Sequence, residues 1–223
     1  MSLCVKEDDN QAWTRGDGTF GQKSDEHYKF IQNHLYDVEN VDPFSSIDCE
    51  FTYGEVMMSK KTFIDKYSSD FANPRNLVAG LLNSKEPNES SLRDCQYIKY
   101  GAIFRPNLMN MRHTKKEVLD YLNQYQKIKV QYHVCKISEL TEELLIDLFH
   151  QFCVEYEIDG LIIEINDLAL QYTLGRETSS NNPVWARAFK HPSFEQSAET
   201  EIIGISWNIS KQGYLKPTLH ILS

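Results

Sequence analysis

The stretch NPRNLVAG, Asn73 to Gly80, joins a turn to the beginning of a helix, and it decides how the rest of the chain is interpreted. Proline is favoured in the first turn of a helix, so the longer segment FANPRNLVAGLLNS predicts a turn followed by a helix. Arg75 stands at the start of that helix. An Arg in this position either pairs with a surface acid or binds an anionic ligand, and the residues around it have to distinguish the two.

Strand and helix patterns follow one another on both sides of this stretch, which predicts an α+β fold. Strands are predicted at residues 2–14, 47–58, 94–104, 130–137, 158–165 and 185–192, and a hairpin of two alternating strands at 200–222. Helices are predicted at residues 25–35, 59–67, 73–84, 114–128, 141–156 and 166–175. Gly54 predicts a bulge in its strand, and the apolar run IDGLIIEI is typical of a central strand.

The composition is that of an ordinary soluble globular protein. The 223 residues are 41% hydrophobic and 25% charged, with a formal net charge of −9. The negative charge argues against a protein that wraps nucleic acid with a basic face. The five Cys are scattered without a C-x-x-C pattern, which indicates reduced thiols and a cytoplasmic protein. No secretory leader or membrane-spanning run is predicted.

Charged residues recur at strand ends and glycine turns. Arg15 lies in the loop TRGDGTFGQ, Glu55 in YGEVMM, Asp159 in IDGLIIEIN and Lys190 in WARAFKHP. Each alone is most simply a solvated surface residue. Together they suit a nucleotide, because a carboxylate accepts a hydrogen bond from a ribose hydroxyl and cations stabilise a reacting phosphate. An Asp near phosphates also indicates Mg²⁺, which takes few protein ligands.

Two kinds of metal chemistry are alternatives. Asp48, Glu50 and Asp159 are the acids that a Mg²⁺-dependent nuclease would use. Two His–Cys pairs contain residue types that bind zinc: His133 with Cys135, and His150 with Cys153. A zinc site needs further ligands at a suitable spacing from such a pair. Isolated pairs are more often core residues, so no metal ligand is assigned.

The order of the motifs resembles the adenylation domain of NAD⁺-dependent DNA ligases. The motifs are TRGDGTFGQ, YGEVMM, FANPRNLVAG, YGAIF, DGLIIEIN, WARAFKHP and SWNISKQGYLKPT, and they cover nearly the whole chain. The resemblance implies an α+β nucleotidyltransferase (ATP-grasp-like) fold with mixed or antiparallel sheets flanked by helices. It implies a partial adenylation domain at residues 1–196 and the first strands of an OB-fold at 197–223.

The resemblance also implies the chemistry. In this family the lysine of a K-x-D-G motif attacks the α-phosphate of NAD⁺. The pyrophosphate bond breaks, nicotinamide mononucleotide leaves, and AMP stays on the lysine as a phosphoramidate. The AMP passes to the 5′-phosphate of a DNA nick, and the 3′-hydroxyl then displaces it, with Mg²⁺ offsetting phosphate charge. The implied cofactors are NAD⁺ and Mg²⁺, the implied substrate is nicked duplex DNA, and the implied roles are DNA replication and repair.

Residue roles follow from the same resemblance. Glu55 is expected to bind the ribose of AMP, and Tyr100 of KYGAIF is expected to stack on adenine. Arg15 and Arg75 are expected to hold ribose, phosphate or DNA. Asp159 is expected to lie beside the phosphates or a metal ion. Lys190 is expected to contact the α-phosphate.

The sequence departs from the family at two points. No K-x-D-G occurs in the 223 residues, the expected position falls just before Met1, and Lys6 lacks the Asp-Gly turn. Glu164 stands where the family has a lysine near the phosphate. An unpaired anion beside an anion costs on the order of 4 kcal/mol at a dielectric constant near 20. That is roughly a thousandfold in rate.

Two functions therefore remain open alongside the nuclease. The first is a partial ligase whose nucleophile lies outside this chain, so that the chain alone is inactive. The second is a non-catalytic module that binds a nucleotide or a partner. In either case we expect a monomer with weak or no autonomous DNA binding and no membrane association.

Overall fold

The computed structural model describes residues 1–7, 9, 11–15, 21–32, 49–105, 113–191, 199–210 and 213–222. They fall into two compact units, Met1–Lys190 and His191–Ser223. The described part of the chain combines α-helices with antiparallel sheets, so the predicted mixture of helix and strand is confirmed.

The first unit is organised by a four-stranded antiparallel sheet. Its strands are β1 (Ser2–Lys6), β2 (Gln11–Thr14), β3 (Cys49–Met57) and β4 (Gln96–Phe104), in the order β2-β1-β3-β4. Residues 2–14 were predicted to hold one strand and the approach to a loop, but they form two strands, because the chain turns after Lys6 and pairs β1 with β2. A register shift between Tyr53 and Gly54 occurs where the bulge was predicted, but the extra residue is Tyr100 on the partner strand β4 and not Gly54.

Seven helices occur among the described residues. They are α1 (Asp25–Gln32), α2 (Lys60–Lys66), α3 (Pro74–Asn83), α4 (Glu89–Arg93), α5 (Lys115–Tyr125), α6 (Glu142–Phe152) and α7 (Leu168–Leu174). Polar residues before the helices accept hydrogen bonds from first-turn N–H groups: Ser59, Asn73, Asn88, Thr114, Thr141 and Asp167. These caps satisfy N–H groups that the helices cannot satisfy internally.

The main core lies on one face of the sheet. Leu3, Val5 and Val56 point into it and pack with side chains of α1, α3 and α4. A smaller cluster on β4 joins Phe104 to Val118 of α5, with Leu168 packed against it. The opposite face of the sheet carries Ser2, Cys4, Tyr53 and Glu55, because successive residues of a strand alternate between faces.

A second, smaller sheet in the first unit joins β5 (Leu161–Glu164) to β6 (Ala186–Phe189). The prediction of a central strand here was wrong. β5 pairs only with β6 among the described residues, and Ile162 is 69% exposed. The strand predicted at residues 130–137 was also wrong, since that segment joins no sheet and ends in a 3₁₀ turn, Ile137–Glu139.

The second unit is a hairpin of β7 (Ile202–Ile209) and β8 (Leu215–Ile221), as the alternation predicted. Trp207 pairs with Pro217 and Ile205 with Leu219, so that apolar side chains share one face. In the part of the chain that the structure describes, no helix combines the length and apolarity needed to cross a membrane.

Candidate functional site

Asp159 holds two cations with one carboxylate oxygen. Its Oδ2 accepts hydrogen bonds from Arg75 Nη1 at 2.8 Å and from Lys190 Nζ at 2.9 Å. All three side chains are at least half exposed, so the two cations remain accessible to a ligand. Lys190 and then Arg75 lower the pKa of Asp159, against an opposing contribution from its partial burial. The carboxylate is therefore ionised wherever the protein is folded near neutral pH.

The β5–β6 hairpin brings Asp159 and Lys190 together. Leu161 pairs with Phe189, so the residues just before β5 lie beside the residue just after β6. Gly160 makes this approach possible, because a Cβ atom there would lie 2.5 Å from Phe189 O and 3.0 Å from Lys190 Cγ. The Asp-Gly pair is therefore a point of close strand approach as well as a turn.

Arg75 reaches the same point from the start of α3. Asn73 caps this helix by accepting a hydrogen bond from Asn76 N–H at 2.8 Å, and Pro74 occupies its first turn. Arg75 and Asp159 are 84 positions apart in the sequence. The predicted helix start is thus confirmed, and its Arg contacts Asp159, another predicted site residue.

Glu55 and Tyr100 lie on the sheet face opposite the main core. Ser2 is directly across from Glu55 in the β1–β3 register, and Ser2 Oγ donates to Glu55 Oε1 at 2.8 Å. Tyr100 is the extra residue at the bulge, because Lys99 pairs with Gly54 while Gly101 pairs with Tyr53. The exposed fraction of Tyr100 is 37%, so its ring is accessible.

The surroundings of Tyr100 connect several candidate residues. Burial is the largest cause that raises the pKa of its phenol, and the negative charge of Glu55 adds to it. Arg15 acts in the opposite direction, whereas Glu164 raises the pKa further. Tyr100, Glu55, Arg15 and Glu164 therefore share one electrostatic environment.

Glu164 has a cationic partner that the sequence did not reveal. Lys115 Nζ lies 3.1 Å from Glu164 Oε1, and the side chains are 17% and 21% exposed respectively. The pair is set by docking of the α5 N-terminus on the loop after β5. Lys115 N–H donates to Asn166 O at 2.8 Å, and Lys116 N–H donates to Asn166 Oδ1 at 2.9 Å.

Glu164 is separated from Asp159 by the length of β5. Asp159 precedes β5 by two residues and Glu164 ends it, so the five residue steps of chain between them can span at most roughly 16 Å. Lys115 neutralises Glu164 locally. The penalty of about 4 kcal/mol expected for an unpaired carboxylate against a phosphate therefore does not apply to this arrangement.

Arg15 directly follows β2 and is exposed. The ends of its loop are joined, since Thr14 N–H donates to Gln22 O at 2.9 Å. Gly21 permits this closure, because a Cβ atom there would lie 2.0 Å from Thr14 O. Residues 16–20 of the loop lie outside the described residues.

The residues suggested for metal chemistry are not brought together. Among the described residues no group of three or more His, Cys, Asp or Glu side chains has an arrangement that would hold a metal ion. Asp48, one of the acids suggested for a nuclease, lies outside the described residues.

One signal in the sequence points to Lys115. It is the first residue of α5, where the helix dipole disfavours a cation, so its presence calls for a nearby carboxylate. Arg176 was also missed. Burial is the largest cause that raises the pKa of Tyr53, Cys4 adds to it, and the positive charge of Arg176 acts in the opposite direction.

The fold and the site together define a mixed α/β domain with accessible cations held by a carboxylate. The family model for the NAD-dependent DNA ligase adenylation domain matches residues 2–194. The chain belongs to this family.

Curated DNA ligases from three bacteria are similar to the chain. The DNA ligase of Ehrlichia ruminantium is 31% identical over 214 residues, covering 93% of this chain and 29% of that protein. That of Natranaerobius thermophilus is 31% identical, covering 93% and 31%. That of Francisella tularensis subsp. holarctica is 27% identical, covering 94% and 31%. The chain thus spans about three tenths of the length of these relatives.

Proposed function

We propose that this chain binds the AMP moiety of NAD⁺ within an NAD⁺-dependent DNA ligase that seals nicks in duplex DNA. The observation that carries the proposal is the contact of Arg75 and Lys190 with the same oxygen of Asp159. A bound phosphate gains two cations that are already oriented, and charge-assisted contacts of this kind are among the strongest hydrogen bonds in proteins. The family membership supports NAD⁺ as the adenylyl donor.

We assign the remaining candidate residues to different parts of the nucleotide. We assign Tyr100 to stack on adenine, since its ring is accessible on the sheet face. Glu55 is assigned to a ribose hydroxyl, because a carboxylate accepts hydrogen bonds and Ser2 already fixes its orientation. Arg15, exposed at the end of β2, is assigned to ribose, phosphate or DNA.

The family's nucleophile is the lysine of a K-x-D-G motif, and this motif is not found in the chain. No lysine among the 223 residues belongs to a K-x-D-G motif. We propose that the lysine that accepts AMP lies outside this chain, and that the 223 residues alone form no adenylate. Transfer of AMP to a 5′-phosphate and sealing of the nick are then activities of a longer ligase.

Mg²⁺ is implied by the family's chemistry, but the described residues do not form a cage for it. Asp159 Oδ2 already receives two cations, and no trio of metal-ligating side chains is present among those residues. Mg²⁺ characteristically binds through substrate phosphates with few protein ligands. We therefore propose a role for Mg²⁺ bound to the phosphates of NAD⁺, and we assign it no residue of this chain.

We further propose that residues 197–223 begin an OB-fold and that residues 1–196 form the adenylation domain. The support is the hairpin's apolar face, which is exposed: Ile205, Trp207, Ile209, Leu215 and Leu219 are each more than half exposed. A two-stranded hairpin is marginally stable alone, and further strands of a barrel would cover this face. Monomeric state, cytoplasmic location, weak DNA binding by this chain and roles in replication and repair are parts of the same proposal.

The inactive binding module is less well supported than the ligase. It rested on Glu164 and on the missing lysine motif. Glu164 is paired with Lys115, so its charge no longer argues against a working site. The motif's absence is compatible with both functions and favours neither.

AMP binding by the unaltered chain tests the proposal. Calorimetric titration is expected to give binding that weakens by about tenfold or more in Arg75→Ala and Lys190→Ala, since each removes a charge-assisted contact. Lys61→Ala is the matched control, because Lys61 is 84% exposed and pairs only with Asp65 among the described contacts. Unchanged affinity in both site variants would refute the assignment.

A further inference from the structure

The main chain of Lys99 is paired with a side chain on the edge of the sheet. β4 is an edge strand in the order β2-β1-β3-β4. Lys99 N–H donates to Gln126 Oε1 at 2.9 Å, and Gln126 Nε2 donates to Lys99 O at 3.0 Å. One side-chain amide thus makes the two hydrogen bonds that a neighbouring strand would make.

Gln126 is itself held in place. It ends α5, and its N–H donates to Leu122 O at 3.2 Å. Its Nε2 also donates to Asn123 Oδ1 at 2.9 Å, and the residue is 5% exposed. The amide therefore has a fixed orientation, and it joins the end of α5 to the middle of β4.

The side chain of Lys99 is fixed from the other direction. Lys99 Nζ lies 3.0 Å from Glu7 Oε1, and these side chains are 2% and 0% exposed. Thr52 Oγ1 also donates to Glu7 Oε1. The residue directly before Tyr100 is thus held by its main chain on the sheet edge and by its ammonium group in the core.

Tyr100 needs such support because it is the bulged residue. It has no residue opposite it on β3, where Gly54 and Tyr53 pair with its two neighbours. A bulge redirects a side chain but interrupts the ladder that would otherwise hold the strand. We propose that Gln126 is a positioning residue that, together with the Glu7–Lys99 pair, holds Tyr100 in the orientation that stacks on the base of a bound nucleotide. This inference rests on the proposed function and deepens it.

A double-mutant cycle measured with AMP as the probe tests whether Gln126 acts through Tyr100. In the full chain, Tyr100→Ala is expected to weaken AMP binding about tenfold, as loss of a base–aromatic stack does. Gln126→Ala is expected to weaken it about fivefold, and the double variant no further than Tyr100→Ala alone. Effects that multiply, or Gln126→Ala with wild-type affinity, would overturn the inference.

Two further measurements separate positioning from general destabilisation. Gln126→Glu retains an acceptor for Lys99 N–H and loses the donor to Lys99 O, so its AMP affinity is expected to fall between wild type and Gln126→Ala. Amide exchange at Lys99 is expected to accelerate in Gln126→Ala and remain slow in Gln126→Glu. The stability control is Asn88→Ala, which removes the cap of α4 and is expected to leave AMP affinity unchanged.

The outcomes also distinguish this inference from the proposed function. Binding of AMP that depends on Tyr100 and not on Gln126 overturns only the inference. Failure of the unaltered, folded chain to bind AMP overturns both. If Gln126→Ala does not fold, Gln126→Glu is tested in its place. An unchanged AMP affinity of Gln126→Glu would equally contradict the inference.

Discussion

Lys115 Nζ lies 3.1 Å from Glu164 Oε1, and this pair joins the first residue of α5 to the last residue of β5. The contact changes the meaning of the carboxylate at position 164. Alone, Glu164 would place a negative charge beside Tyr100 and Glu55 in a site proposed for an anionic ligand. Paired with Lys115, it adds almost no net charge there.

Reversing the pair is the first prediction. Lys115→Glu and Glu164→Lys each place like charges together, and each is expected to lower the free energy of unfolding by about 1 to 2 kcal/mol, between the values typical of exposed and buried pairs. The double variant restores opposite charges and is expected to recover most of this loss in urea denaturation. A double variant as unstable as the sum of the two single variants would show that the contact contributes nothing.

The pH dependence of the Asp159 site is the second prediction. Lys190 and Arg75 lower the pKa of this carboxyl below its ordinary value of 3.8. A lowered folded-state pKa means that the contribution to stability is present above the unfolded-state value and is lost as the pH falls through the folded-state value. The Asp159 carboxyl signal in NMR of the AMP-free protein is therefore expected to stay constant from pH 8 to about pH 5. A transition of that signal above pH 4 would contradict the ion triad.

The third prediction concerns two glycines whose replacement by alanine is expected to change the free energy of unfolding in opposite directions. Gly160→Ala is expected to destabilise the protein by about 1 to 3 kcal/mol, because the new Cβ would lie 2.5 Å from a backbone oxygen of β6. It is also expected to weaken AMP binding, since Lys190 must move. Gly80→Ala is the matched control, because it lies inside α3 and, apart from the backbone of that helix and its chain neighbours, no described atom lies within 4 Å of its Cβ position. It is expected to stabilise the protein by about 0.5 to 1 kcal/mol in thermal unfolding.

Local patterns predicted the parts of the fold that depend on local interactions. Asn73 and Pro74 define the start of α3, because capping and φ restriction are properties of a few neighbouring residues. Gly54 indicated a strand distortion, although the extra residue lies opposite it on β4. The apolar run of β5 led to the wrong prediction of a central strand. An apolar strand pattern does not reveal whether both faces of the sheet are covered. Ile162 is in fact 69% exposed.

The site was predicted as a set of residues but not as an arrangement. Arg75, Asp159 and Lys190 were each singled out, yet nothing local shows that one oxygen would receive both cations. Lys115 was missed because its partner is reached only after α5 docks on Asn166. Contacts between residues distant in sequence depend on tertiary packing, which a single sequence does not specify.

The buried pair below Tyr100 gives the fourth prediction. Lys99→Met leaves the carboxylate of Glu7 in the core with Thr52 as a remaining donor, and such unpaired buried charges cost about 3 to 5 kcal/mol. Adding Glu7→Gln removes the charge and keeps an acceptor for Thr52, so the double variant is expected to lose less than about 2 kcal/mol. Urea denaturation of both variants checks this. A double variant less stable than Lys99→Met would show that the two residues are not coupled.

The proposal that the nucleophile lies outside this chain gives the last prediction. Because no K-x-D-G occurs in the 223 residues, incubation with NAD⁺ and Mg²⁺ is expected to leave the intact mass of the chain unchanged. Lys6 is the lysine nearest the expected motif in sequence, but its Nζ pairs with Asp9 Oδ2, and an ion-paired ammonium is a poor nucleophile. A mass increase of one adenylyl group, removed by Lys6→Arg, would show that this chain adenylates itself through an unorthodox lysine. Adenylation that survives Lys6→Arg but is lost in Lys190→Ala would instead place the chemistry at the Asp159 site.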